Sequence, residues 1–227
     1  MVSPHEPSTA RDYEGAVTRT ATRYARRTSG PTLHYVRSKL RTDPSARAIA
    51  ERAPLGDLLD LGCGRGQLAV LLLEAAAADR VVGVDWDAEK VAAAERASVG
   101  LEARFLVGDV RTAEVAAADT VLLVDVLHYL APAEQDALLA RAAGLVRPGG
   151  RLVVRDASTR HGWRSTLTLL AERIGTAAGV NRGERVVFRD VERDLVDVVE
   201  REGLRCEVEP CWGSTPFSNV LLVARRP

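Results

Sequence analysis

Leu58-Leu59-Asp60-Leu61-Gly62-Cys63-Gly64-Arg65-Gly66-Gln67 is an apolar run that ends in a glycine turn and opens into a leucine- and alanine-rich stretch. The run reads as a buried strand and the stretch after it as a helix. Glycines in such a turn remove the side chains that would hold a ligand off the backbone, and they permit positive φ. The turn suits a nucleotide-type site at the carboxyl end of a strand, although glycine turns also occur in many α/β proteins without one. Its Gly-x-Gly-x-Gly spacing departs from the Gly-x-Gly-x-x-Gly of dinucleotide binding.

Downstream of this unit, β-branched or leucine-rich runs alternate with alanine-rich helical ones, the pattern of a parallel sheet covered by helices on both faces. Strands are expected at 57–61, 80–85, 103–107, 119–124 and 150–155, with helices at 66–78, 87–98 and 133–146. The last third differs. A helix near 189–202 ends at Gly203, and strands follow near 204–210 and 218–225. Only Cys211 to Phe217 separate that pair, too few for a helical crossover, so it is expected to be antiparallel. The fold class is α/β: a Rossmann-like, doubly wound seven-stranded sheet, parallel except for a terminal antiparallel hairpin, with an N-terminal helical appendage.

Residues 1–56 form that appendage or lid, and residues 57–227 the ligand-binding domain. Gly30-Pro31 opens a helix through Leu33, Val36 and Leu40 that breaks at Asp43-Pro44, and a short helix follows over Ser45 to Arg52. Leu33, Val36 and Leu40 form one apolar stripe, which needs a partner. The carboxyl edge of the sheet is the expected one, so that residues 11–44 would cover an acceptor pocket and bring Tyr24, His34 and Tyr35 toward substrate. The excess of arginine in this segment would suit an acidic carrier protein or an anionic acceptor.

Composition removes several function classes. Lysine plus arginine and aspartate plus glutamate both number 31, so no global field favours a nucleic acid. No apolar run approaches membrane-span length and no leader pattern opens the chain, so a cytoplasmic protein is expected. Cys63, Cys206 and Cys211 are odd in number and match no zinc spacing, so neither a disulfide framework nor a metal is expected.

Two further strand ends carry acids. Val84-Asp85-Trp86-Asp87 places Asp85 where a ribose-binding carboxylate belongs, with Trp86 offering an aromatic face to a purine and Asp87 suited to cap the next helix. Gly108-Asp109-Val110 ends the third strand with an acid able to accept from an exocyclic amine.

Together these segments resemble the class I S-adenosylmethionine-dependent methyltransferases. Gly62-Cys63-Gly64-Arg65-Gly66 resembles the first motif of that family, Val84-Asp85 the second and Gly108-Asp109-Val110 the third. The stretch Thr120 to Leu130 resembles its fourth strand and loop, and Leu145 to Val154 the turn into its fifth. The resemblance implies S-adenosylmethionine as cofactor and S-adenosylhomocysteine as product. It assigns cofactor contacts to Asp60, Gly62, Cys63, Gly64, Gly66, Asp85, Trp86, Gly108, Asp109, Val110 and Asp125. The ends of the chain, Gly30 to Pro44 and Ser214 to Arg226, are similar to bacterial methyltransferases of fatty-acid-like and aryl-polyene biosynthesis. That similarity implies secondary metabolism and an aryl or acyl small-molecule acceptor, free or borne on a carrier protein, methylated on oxygen or carbon.

A methyl donor of this kind needs mainly an aligned acceptor, and a base only where the acceptor must lose a proton. Candidates at the ends of strands four and five are His128, Tyr129 and Asp156, with His161 a little farther on as a substrate contact. A helical turn packed on the sheet is the competing place for His128. Asp125-Val126-Leu127-His128 lacks the Asn/Asp-Pro-Pro-Tyr pattern of nitrogen methylation, and Ala157 follows Asp156 where metal-dependent relatives use asparagine. Two alternatives share the glycine turn: a nicotinamide-dependent oxidoreductase, disfavoured by the glycine spacing and terminal hairpin, and a non-catalytic S-adenosylmethionine-binding protein. The sequence leaves the oligomeric state open.

Overall fold

The computed structural model describes residues 12–25, 30–168, 170, 186–213 and 215–227. Seven strands form one sheet in the order β3-β2-β1-β4-β5-β7-β6. These are β1 (Asp57–Leu61), β2 (Arg80–Asp85), β3 (Ala103–Val107), β4 (Ala118–Val124), β5 (Val146–Ala157), β6 (Arg205–Pro210) and β7 (Asn219–Arg225). The first five run parallel, and β7 inserts antiparallel between β5 and β6, pairing Asp156 with Val220 and Val208 with Leu222. The order reverses between β1 and β4, so a crevice opens at the carboxyl ends of those two strands.

Strand alternation sends side chains to two cores. Leu58, Val81, Leu122 and Val153 face one layer, made by α1 (Tyr13–Ala25), α2 (Gly30–Thr42), α3 (Pro44–Ala50), α4 (Gln67–Glu74) and α5 (Ala88–Ala97). Leu59, Leu61, Val121, Leu123 and Val154 face the other, with α6 (Pro132–Gly144) and α7 (Val196–Arg201). Local chemistry sets the helix starts. Asp43 accepts from the Ser45 amide with Pro44 in the first turn of α3, and Asp87 accepts from the Glu89 and Lys90 amides at the start of α5.

Three sequence expectations change in detail. The helix expected over 66–78 ends at Glu74, because Ala76 turns left-handed at φ 51°. The helix near 189–202 opens with a π-type turn over Val191–Leu195. The fifth strand extends beyond 150–155 at both ends. At Gly150 a Cβ would stand 2.5 Å from the Asp119 carbonyl oxygen, so the β4–β5 approach requires glycine there.

The N-terminal helices share the core of the sheet. Tyr13, Ala16, Val17, Tyr24, Val36, Leu40 and Ile49 are buried in the same core as α4 and β1. Their arginines are largely engaged, with Arg19 and Arg23 on Glu74 and Arg47 on Glu14. Among the described residues no helix is long and apolar enough to cross a membrane.

Candidate active site

Gly62, Gly64 and Gly66 all have positive φ, at 88°, 54° and 69°. Their surroundings differ. A Cβ at Gly62 would lie 2.3 Å from Val126 Cγ2, and one at Gly66 would lie 2.7 Å from Ala94 Cβ, whereas one at Gly64 would meet no atom within 4 Å. Gly62 and Gly66 therefore serve packing, and Gly64 faces open space where a ligand can approach. Tyr24 donates to the Arg65 carbonyl at 2.5 Å, tying α1 to this turn.

Asp85 is buried and organises two segments at once. Its Oδ2 accepts from the Gly64 amide at 2.8 Å and its Oδ1 from the Asp87 amide at 2.9 Å. Each oxygen keeps acceptor capacity for a ribose hydroxyl. The Gly108 amide donates to the Asp85 carbonyl at 3.0 Å, which sets the ends of β2 and β3 side by side. Trp86 is half exposed at the cavity edge. Asp109 is engaged by Arg111, whose guanidinium holds the carboxyl below its usual range and also reaches Glu134.

Asp60 is 3% exposed, and none of the described residues hydrogen-bonds or ion-pairs with its carboxylate. Burial, and then the Asp85 charge, push its pKa up from 3.8 to about 7. Burial also pushes the neighbouring Cys63 thiol up, so it is an inert wall residue.

A cavity of about 790 Å³ joins Asp60, Gly62, Gly64, Asp85, Asp109 and Val110 to a second half bordered by Leu40, Asp43, Asp125, Val126, Tyr129 and Leu130. Asp125 adopts φ 58°, a conformation that costs a non-glycine residue about 1–3 kcal/mol and persists only where neighbours impose it. The Asp125 amide donates to the Arg155 carbonyl at 3.0 Å and its carboxylate pairs with the Arg155 guanidinium, which also faces Asp43 at 3.9 Å. Burial would raise the Asp125 carboxyl, but the charges of Arg155, Lys39 and His128 and the Arg155 hydrogen bond outweigh it and hold it low.

The proposed acid–base residues divide. Tyr129 borders the cavity. His128 and Asp156 lie behind it, 3% and 4% exposed, with Nδ1 and Oδ1 2.7 Å apart. Asp156 Oδ1 also accepts from the Ala157 amide, and the His128 ring packs against Tyr129 at a tilt of 56°, 4.2 Å between centroids. The Leu127–Tyr129 segment is a single 3-10 turn packed on the sheet, the competing place foreseen for His128. His161 belongs to a separate cluster, 2.7 Å from Glu192 Oε1 and edge-on to Trp212, outside the cavity wall. Tyr24 is buried against the glycine turn and does not face an acceptor. The side chains of His34 and Tyr35 lie outside the described residues.

A family profile described as a methyltransferase domain matches residues 58–150, the stretch from β1 to the turn into β5. Over this stretch the chain is similar to methyltransferase domains. Trans-aconitate 2-methyltransferase of Azoarcus sp. strain BH72 is 35% identical over 115 residues, covering 49% of this chain and 44% of that enzyme. The matched stretch spans about half the length of such curated relatives. Magnesium protoporphyrin IX methyltransferase from Synechocystis PCC 6803, solved with bound S-adenosylhomocysteine, superposes with a TM-score of 0.63 at 22% identity, covering 96% of this chain and 98% of that one. The [4+2]-cyclase SpnF superposes with a TM-score of 0.65 at 18% identity, covering 100% and 98%. At these identities the likeness is one of fold, and a functional reading has to come from the site itself.

The expectations of sequence missed Arg155 and Asp43 and gave Lys39 no role in the site, whereas Leu40 was on the stripe expected at the carboxyl edge. Arg155 carried a faint signal, a lone cation inside the apolar run of β5. For α2 the stripe of Leu33, Val36 and Leu40 pointed to the carboxyl edge of the sheet, and Lys39 and Leu40 border the cavity there.

Proposed function

We propose that this domain transfers a methyl group from S-adenosylmethionine to oxygen or carbon of a small aryl or acyl acceptor. One observation carries the reading: a single cavity whose first half is built of Asp60, the open face of Gly64, Asp85 and Asp109, and whose second half continues along Leu40, Asp125, Val126 and Tyr129. The residues fit the cofactor. Gly64 offers open space beside the backbone, Asp85 can accept from ribose hydroxyls, and the Asp60 carboxylate awaits a cationic partner. When bound, S-adenosylmethionine supplies a sulfonium-activated methyl group.

The rest falls to the chain's own residues. Leu40, Val126 and Leu130 present an apolar wall to the acceptor and exclude water, and Tyr129 adds an aromatic face. Asp125, kept ionised by Arg155, accepts a hydrogen bond from an acceptor hydroxyl and orients it. Orientation of this kind can supply about 7–11 kcal/mol in favourable cases. His128 and Asp156 act at one remove, fixing the Tyr129 ring. Tyr129 is thereby the surface contact and His128 a positioning residue. The Tyr24, His34, Tyr35 and His161 contacts and the carrier-borne acceptor gain no support from this geometry.

Calorimetric titration of the purified chain with S-adenosylmethionine, S-adenosylhomocysteine and NAD tests the cofactor, and methyl-labelled S-adenosylmethionine with a panel of small phenols and carboxylic acids tests transfer. Binding of the adenosyl ligands with label appearing in one acceptor class supports the reading. Preferential binding of NAD would replace it with an oxidoreductase, and adenosyl binding with no transfer across the panel would favour a binding role.

A further inference from the structure

We propose that Lys39, delivered by α2, binds the carboxylate at the amino-acid end of S-adenosylmethionine, so that the N-terminal helices complete the cofactor site rather than merely cover the acceptor. This rests on the cofactor reading above. An α-amino acid moiety is zwitterionic and needs one anionic and one cationic partner. Asp60, buried on the cavity wall without a partner, supplies the anion.

Four cations border the cavity: Lys39, Arg65, Lys90 and Arg111. Three are placed elsewhere. Arg111 is held by Asp109 and Glu134 at the β3 end. Lys90 lies over Trp86 and 3.8 Å from Asp87, beside the ribose position. Arg65 is exposed on the glycine turn, and its charge acts on Asp87 beside the ribose position and on Tyr24.

Lys39 is at the other end. Its charge acts on Asp125, the residue before Val126, and Val126 lies directly against Gly62. Lys39 borders the same cavity as Asp60, Gly62 and Asp125. Among the described residues Lys39 makes no ion pair within 4 Å. Its position is held from behind: Asp43, at the α2–α3 joint, faces Arg155, and Arg155 grips Asp125. The helix end that carries Lys39 is thus docked on the strand end that adjoins Gly62. The geometry also ties α1 to the same turn through Tyr24 and the Arg65 carbonyl.

The test compares S-adenosylhomocysteine with 5′-methylthioadenosine, which shares the nucleoside and lacks the amino-acid moiety. Calorimetry on the full chain should show Lys39→Met weakening S-adenosylhomocysteine by about tenfold or more, the scale of one charge-assisted contact. Methylthioadenosine affinity should stay within about twofold, and Lys39→Arg should recover most of the loss. Retained methylthioadenosine binding also shows that the variant folds. Equal S-adenosylhomocysteine affinity in wild type and Lys39→Met would overturn the inference, as would equal loss for both ligands. A wild-type chain that binds neither ligand would overturn the cofactor reading itself.

Discussion

Replacing Asp60 by asparagine should strengthen the fold and weaken the cofactor site, and both effects follow from one buried carboxylate. In the folded chain its pKa rises from 3.8 to about 7. A carboxyl whose folded pKa lies above its unfolded value binds more protons in the native state, so stability falls as pH rises from about 4 to about 7 and stays reduced above. A rise of that size corresponds to about 4 kcal/mol of penalty at neutral or higher pH. An asparagine removes the charge but leaves a buried amide, which costs about 1–3 kcal/mol where it lacks partners. The net gain at pH 8 is about 1–3 kcal/mol, or about 2–10 °C in Tm for a chain of this length. At pH 4, where wild-type Asp60 is protonated, the gain should vanish. Ligand binding runs the other way. Wild-type affinity for S-adenosylhomocysteine should fall about tenfold per pH unit below 7 as the carboxylate takes up a proton, while the Asp60→Asn variant binds about 10–100-fold more weakly and with a flat profile between pH 5 and 7. Thermal melts and calorimetry across that range measure both. An Asp60→Asn variant no more stable than wild type at pH 8, with an unchanged affinity profile, would refute the assignment of an uncompensated carboxylate at the ligand.

Gly62→Ala and Gly64→Ala should separate folding from binding: the first drives a methyl into Val126 and lowers Tm, while the second meets open space, keeps most of the fold and loses S-adenosylhomocysteine affinity. Equal melting losses for the two would contradict the different roles of these glycines. Asp85→Ala should weaken S-adenosylhomocysteine by more than tenfold and also loosen the turn, since two backbone amides lose their acceptor; an unchanged affinity in the folded variant would remove the ribose assignment. His128→Ala strips the partner from a buried carboxylate and should cost about 3–5 kcal/mol, read as a large drop in Tm. A stable variant that nonetheless loses all turnover would instead make His128 the base. Deleting residues 1–44 should abolish S-adenosylhomocysteine binding along with transfer, because the deletion removes Lys39 and uncovers α4; a folded truncation with full affinity would restore a simple lid.

Much of the architecture was legible in local pattern. Apolar runs of strand length, the acid at each strand end and the short Cys211–Phe217 connection specify seven strands and an antiparallel close, because periodicity and loop length are local properties. The glycine turn, Asp85 and Asp109 were legible for the same reason: their chemistry is tied to a strand end wherever that strand packs. The position of β7 between β5 and β6 was not, since strand order depends on which edges remain to be paired after the parallel half has formed. Nor was the second half of the site. His128 reads in sequence either as a base or as part of a turn packed on the sheet; its ring turns into the core to meet Asp156, which the packing of the β4 and β5 ends decides. Arg155 reads as an interruption of an apolar strand until Asp125 and Asp43, from segments far apart in the chain, close around it. The stripe of α2 pointed to the carboxyl edge, but which of its residues would border the cavity, Lys39 and Leu40, was decided only by how the helix docks.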